Sequence, residues 1–107
     1  MARTLINLPK NARRGEVIEI RALIAHVMET GFRAGSDGRM VPRDIIHRFS
    51  CRYNGETVFT AEFFPSTAAN PYLAFHTLAT ESGSLVFTWE GDNGFSHREQ
   101  VELTVTG

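Results

Sequence analysis

The stretch "EVIEIRALIAH", residues 16 to 26, constrains this chain more than any other. Ile18, Ile20, Ala22 and Ile24 recur at every second position, with Glu19 and Arg21 between them. Side chains along a strand alternate between faces, so this period describes a half-buried strand and is wrong for a helix. The same beat returns in "FSHREQVELTV", where Val101, Leu103 and Val105 turn inward and Gln100, Glu102 and Thr104 outward. No stretch carries a convincing helical period.

Five further segments fit the same scheme. "TLINL" (4–8) reads as a short edge strand stopped by Pro9. "RDIIHRFSCRY" (43–53) places Ile45, Phe49, Cys51 and Tyr53 on one parity. Asn54-Gly55 then favours a tight hairpin, because both turn positions take positive φ. "ETVFTAEF" returns with Phe59, Ala61 and Phe63 on one side. "YLAFHTLA" (72–79) and "LVFTWE" (85–90) follow, and Asn93-Gly94 marks one more tight turn. Seven short strands at regular spacing predict an all-β fold, an immunoglobulin-like antiparallel β-sandwich of about seven strands. At 107 residues and 42% hydrophobic content, a single domain over 1–107 can bury a real core.

Two irregular segments interrupt the strands: "HVMETGFRAGSDGRMVPRDII" (26–46) and "FPSTAANP" (64–71). The first holds Gly31, Gly35, Gly38 and Pro42 with almost no apolar anchor, and loops this long are usually functional or disordered. Asn70-Pro71 is compatible with either peptide isomer. Several strands are also apolar at adjacent positions: Ile45 with Ile46, Val58 with Phe59, Phe63 with Phe64, and Tyr72 through Phe75. One face of each strand in a free-standing sandwich should be wet, so this pattern implies cover from loops or from another chain.

The chemistry-bearing residues do not assemble into a familiar centre. His26, His47, His76, His97 and Cys51 are the ligand inventory of a mononuclear-iron superoxide reductase on this type of sandwich, the sharpest enzyme alternative. Such an iron site needs a Cys and a His three residues apart in one loop, whereas Cys51 is followed by Arg52, Tyr53 and Asn54. The histidines sit one per segment, so neither a metal nor another cofactor is expected. Cys51 shares parity with Phe49 and Tyr53, which makes a structural thiol the simpler reading than a reactive one. No nucleophile triad, phosphate-cradling loop or carboxylate pair stands out, and the chain does not read as an enzyme.

Charge narrows the partners. Eleven basic and twelve acidic residues give a net charge of −1, and the arginines are scattered along the chain. Neither a nucleic-acid groove nor a membrane patch is indicated. No apolar run approaches a membrane span, and "MARTLINLPKNARRGE" lacks the features of a signal peptide.

Three stretches resemble the SoxZ family, the non-carrier subunits of SoxYZ sulfur-carrier complexes. They are "HVMETGFR" with "GRMVPRDII", "TAANPYLAF", and "ESGSLVFTWEGDNG". Together they run from about Lys10 to Val105, with Val27 standing where the family usually has proline. The resemblance implies a β-sandwich without catalytic residues that pairs with a SoxY-like carrier during thiosulfate and sulfur oxidation. That carrier bears the sulfur on a C-terminal Gly-Gly-Cys-Gly-Gly arm. This sequence ends "ELTVTG", with no such arm, so it is expected to be the other subunit. The resemblance also implies a periplasmic location, reached by export together with the signal-bearing partner. Within that frame the 27–42 loop and the 64–71 loop are expected to be recognition surfaces carried on a rigid scaffold. Their contact residues would be Met28, Phe32, Arg33, Arg39, Met40, Arg43, Asn70 and Tyr72.

Overall fold

The computed structural model describes residues 2–107. The alternation of residues 16–26 becomes strand β3 (Val17–Ile24), in which Ile18, Ile20, Ala22 and Ile24 are all buried. It lies between β1 (Thr4–Asn7) and β6 (Tyr72–Leu78), antiparallel to both, forming a three-stranded sheet. The facing sheet has five strands, in the order β2 (Asn11–Arg13), β8 (Ser96–Thr106), β7 (Gly83–Gly91), β4 (Ile46–Tyr53) and β5 (Glu56–Glu62). The two sheets close an immunoglobulin-like sandwich over one core, as the alternation predicts.

Aromatic rings fill that core. Phe49 contacts Trp89 at 5.1 Å and Phe75 at 5.9 Å between ring centroids, and Phe59 stacks on Phe75 at 4.3 Å. The last pair joins β5 to β6, so it ties the free edges of the two sheets together. Each such contact adds about 0.5–1.5 kcal/mol beyond the area it buries. Tyr53 pins one end of the sandwich. Its hydroxyl accepts hydrogen bonds from the backbone N–H of Thr80 and Glu81 and donates to the Glu81 carbonyl, fixing the turn before β7.

The eighth strand, β2, is not signalled in the sequence. It pairs parallel with β8, Ala12 beside Val105, so one edge of the otherwise antiparallel sandwich is parallel. Three residues with a single buried alanine are too few to display a period. Pro9 ends the β1 segment, and the chain then crosses from one sheet to the other to form it.

Two β-bulges account for much of the doubled apolar pattern. Between Ile46 and Arg48 the β4 register slips by one against β7, since Ile46 faces Gly91 and Arg48 faces Glu90. His47 is the extra residue, and it and Arg48 are both exposed. The strict parity through Ile45 and Phe49 therefore breaks there, and Ile46 turns inward alongside Ile45. The bulge demands close backbone approach: a Cβ on Gly91 would lie 2.6 Å from the Ile45 carbonyl oxygen. A second slip, where Cys51 faces Phe59 but Arg52 faces Thr57, makes Val58 the extra residue of β5. Val58 and Phe59 are both half-buried as a result. These two pairs are covered by their own chain. Phe64 and Tyr72, by contrast, remain more than half exposed.

Both hairpin turns take the expected conformation, with positive φ at Asn54, Gly55, Asn93 and Gly94. No peptide bond among the described residues is cis, so Asn70-Pro71 is trans.

Candidate functional site

The segment between β3 and β4 is ordered by its own hydrogen bonds. Glu29 and Asp44 exchange a reciprocal pair of backbone bonds at 2.8 Å each. Further out, the Val41 N–H donates to the Arg33 carbonyl at 2.8 Å and the Gly35 N–H to the Arg39 carbonyl at 2.7 Å. The segment is thus a narrow β-arm whose tip is the turn Gly35–Arg39. Gly38 takes a φ of +81° there, a conformation glycine adopts without cost.

Side chains then fasten the arm to the sandwich. Arg43 donates from Nε and Nη2 to the two carboxylate oxygens of Asp92, both at 2.8 Å. Asp92 Oδ2 also accepts from the Ile45 N–H at 3.1 Å. The Arg43 guanidinium holds the Asp92 carboxyl below its usual range, and the Ile45 hydrogen bond adds to that effect. Arg33 makes a comparable pair with Glu29, 2.7 Å at its shortest, and this lowers the Glu29 carboxyl in turn. Two of the three arginines expected to meet a partner therefore brace the arm itself. Among the described residues, Arg39 has no ion-pair partner.

Met28 turns inward. It is buried, with a φ of +52°, and the Ile46 N–H donates to its Sδ at 3.3 Å. His26 sets that conformation by accepting the Met28 N–H on Nδ1 at 3.0 Å, while its ring packs edge-on against Phe95. Asn70 clamps the second irregular segment to this elbow. Its side-chain oxygen accepts the His26 N–H at 2.9 Å and its own N–H donates to the His26 carbonyl at 2.8 Å.

Large apolar side chains stay exposed beside the polar ones. Phe32 is 77% accessible, and Val27, Phe64, Met40, Tyr72 and Leu5 are each more than half accessible. Leu5, Leu23 and Tyr72 form one cross-strand row on the outer face of the three-stranded sheet, at its end nearest His26. Phe64 lies beside Arg43, Ile45 and His47 at the base of the arm. Among the described residues, six of the eight large exposed hydrophobics thus lie on the arm or at the end of the sandwich it emerges from, while Val17 and Leu78 pair at the other end. Val27, Phe64 and Leu5 were not singled out as contact residues from sequence. Val27 stands out only as a departure from a family pattern, and Leu5 becomes part of the surface only through strand pairing.

The remaining candidates lie apart. Cys51 is fully buried between Phe59 and Phe87, and desolvation pushes its thiol up to about 12. His47 and His76 are solvent-facing on different sheets, and His97 pairs with Glu99 at 2.7 Å. That hydrogen bond, helped by one from Thr4, lowers the Glu99 carboxyl despite its partial burial. Among the described residues, no three His, Cys, Asp or Glu side chains come together as a metal site.

The geometry is that of a β-sandwich scaffold bearing an ordered β-arm, with no metal-binding cluster among the described residues. Residues 6–102 match the model of the family described as "Sulphur oxidation protein SoxZ". The chain belongs to the SoxZ family, as the three sequence stretches imply, and is a non-catalytic subunit of SoxYZ type. No curated protein sequence matches it. Among solved structures, a superoxide reductase (neelaredoxin) from Ignicoccus hospitalis superposes with a TM-score of 0.72 at 14% identity, over 96% of this chain and 80% of that one. The sulfur carrier protein SoxY from Chlorobium limicola f thiosulfatophilum superposes with a TM-score of 0.69 at 14% identity, covering 97% and 79%. A superoxide reductase of Thermotoga maritima, described as putative, gives 0.66 at 12% identity, covering 97% and 86%. At these identities the likeness is one of fold.

Proposed function

We propose that this chain pairs with a SoxY-type carrier through its arm end and presents that partner's C-terminal Gly-Gly-Cys-Gly-Gly arm to the enzymes of sulfur oxidation. The complex works in the periplasm, and the chain is exported with its partner. One observation carries this reading: the exposed apolar side chains are concentrated where the irregular segments emerge. Apolar surface of this kind marks interaction sites when it is contiguous and rimmed by polar groups. Phe32, Met40 and Tyr72 supply the contacts, and Arg39 offers a free guanidinium at the rim. Met28, Arg33, Arg43 and Asn70 act one step back, holding those contacts in place. A fixed arm loses little conformational entropy on docking, which favours affinity.

The test is a double variant, Phe32→Ser with Met40→Ser, titrated calorimetrically against the purified carrier subunit. Both side chains are exposed, so the melting temperature of the variant should match the parent. Carrier affinity should fall at least tenfold, as for aromatic anchors at interfaces. Parent-like affinity would overturn this placement of the interface.

A further inference from the structure

The outer face of the five-stranded sheet carries a second, chemically different surface. Strand register aligns Arg98, Thr88, Ser50 and Thr60 in one row across β8, β7, β4 and β5. Arg48 and Arg52 stand two residues to either side of Ser50 on the same face of β4. These residues line an open trough of about 490 Å³, within the range of small-ligand sites. At a strand rise of about 3.3 Å and a strand spacing of about 4.8 Å, all three arginines stem from within about 10 Å of Ser50.

None of the three is neutralised in the fold. Arg21, Arg33 and Arg43 each pair with a carboxylate, whereas among the described residues Arg48, Arg52 and Arg98 take part in no ion pair. Glu62 and Glu90 sit in register on either side of Arg48 but do not reach it as ion pairs. Acidic neighbours are fewest at Arg52, which adjoins Val86 and Thr57 in register, whereas Arg98 faces Thr88 with Glu90 two residues along the same face of β7. No described polar side chain hydrogen-bonds to the hydroxyls of Ser50, Thr60 or Thr88, in contrast to Ser84 lower on the sheet, which bonds Glu102.

We infer that this trough binds a small divalent oxyanion, held over Ser50 and Thr88 by the three guanidinium groups. Guanidinium groups match oxyanions with paired donors, and hydroxyls rotate to donate to whatever oxygen is left. The site lies on a different face from the carrier contact and does not depend on it. The choice of sulfur oxyanions as ligands rests on the sulfur-oxidation reading above.

The experiment is an amide NMR titration of the full chain with sodium sulfate and with sodium thiosulfate, at ionic strength held constant with sodium chloride. Saturable shifts are expected at Ser50, Arg52, Thr88 and Arg98, with residues on the three-stranded sheet unmoved. Arg52→Gln combined with Arg98→Gln should weaken the response at least tenfold while leaving carrier affinity unchanged. Shifts that chloride reproduces, or that survive both substitutions, would overturn the inference. Because carrier affinity is read separately on the same variants, loss of either activity is distinguishable from loss of the other.

Discussion

Cysteine and methionine show how much a residue's role depends on where its strand or turn puts it. Cys51 lies between Phe59 and Phe87 with no accessible surface, and its thiol is held near 12 by desolvation. A thiolate is the reactive species, so at neutral pH this group is a small hydrophobe. In native protein, Cys51 should therefore fail to react with a disulfide reagent such as Ellman's over hours at pH 8. It should react stoichiometrically once the chain is unfolded in guanidinium chloride. Rapid native labelling would mean that the β4 core opens locally. Its parity with Phe49 and Tyr53 made this burial legible from sequence. The inward turn of Met28 was not legible, because it depends on a positive φ set by the His26 ring and on an N–H from a residue eighteen positions away.

At the scale of elements, the β-arm is the informative case. Its composition, rich in glycine and poor in apolar residues, reads as a loose loop. Its order comes instead from backbone pairing and from the Arg43–Asp92 and Arg33–Glu29 ion pairs. The Asp92 carboxyl is lowered in the folded state, so its stabilising effect is present above the usual carboxylate range. That effect is lost as pH falls through the lowered folded value. Acidification should thus release the base of the arm, with amide signals of Arg43 and Ile45 moving as Asp92 protonates. Asp92→Asn should give arm-base signals at pH 7 like those of the parent at low pH. An arm unchanged by both would show that backbone pairing alone holds it. The bulges teach the same lesson for strands. A one-residue slip at His47 reverses the faces of its neighbours, and periodicity read along a single chain cannot see a slip that exists only relative to β7.

For the whole molecule, the dimensions of 61 × 20 × 19 Å describe an elongated body. The longest strand, β8, accounts for only about 37 Å of that length at about 3.4 Å per residue. The apolar arm end and the arginine-bearing sheet face are separate surfaces, so one can dock while the other stays open to solvent. A partner that binds only the folded chain stabilises it by mass action. At carrier concentrations near one hundred times Kd, the gain is about 2.7 kcal/mol, or a rise in Tm of about 10 °C for a domain of this size. Differential scanning calorimetry across a carrier titration should show that rise, and a flat Tm would argue against pairing with the folded chain.

The sequence alone determined the layer architecture, the hairpin turns, the buried thiol and the family, because each of these is written in local period, turn chemistry or contiguous motifs. Tertiary structure decided the parallel edge strand, the bulges, the fastening of the arm to the sandwich through Arg43 and Asp92, and the placing of Arg98 beside the Arg48, Ser50 and Arg52 face of β4. These depend on register between strands far apart in the chain. Register is set by packing the whole core at once rather than by any one segment.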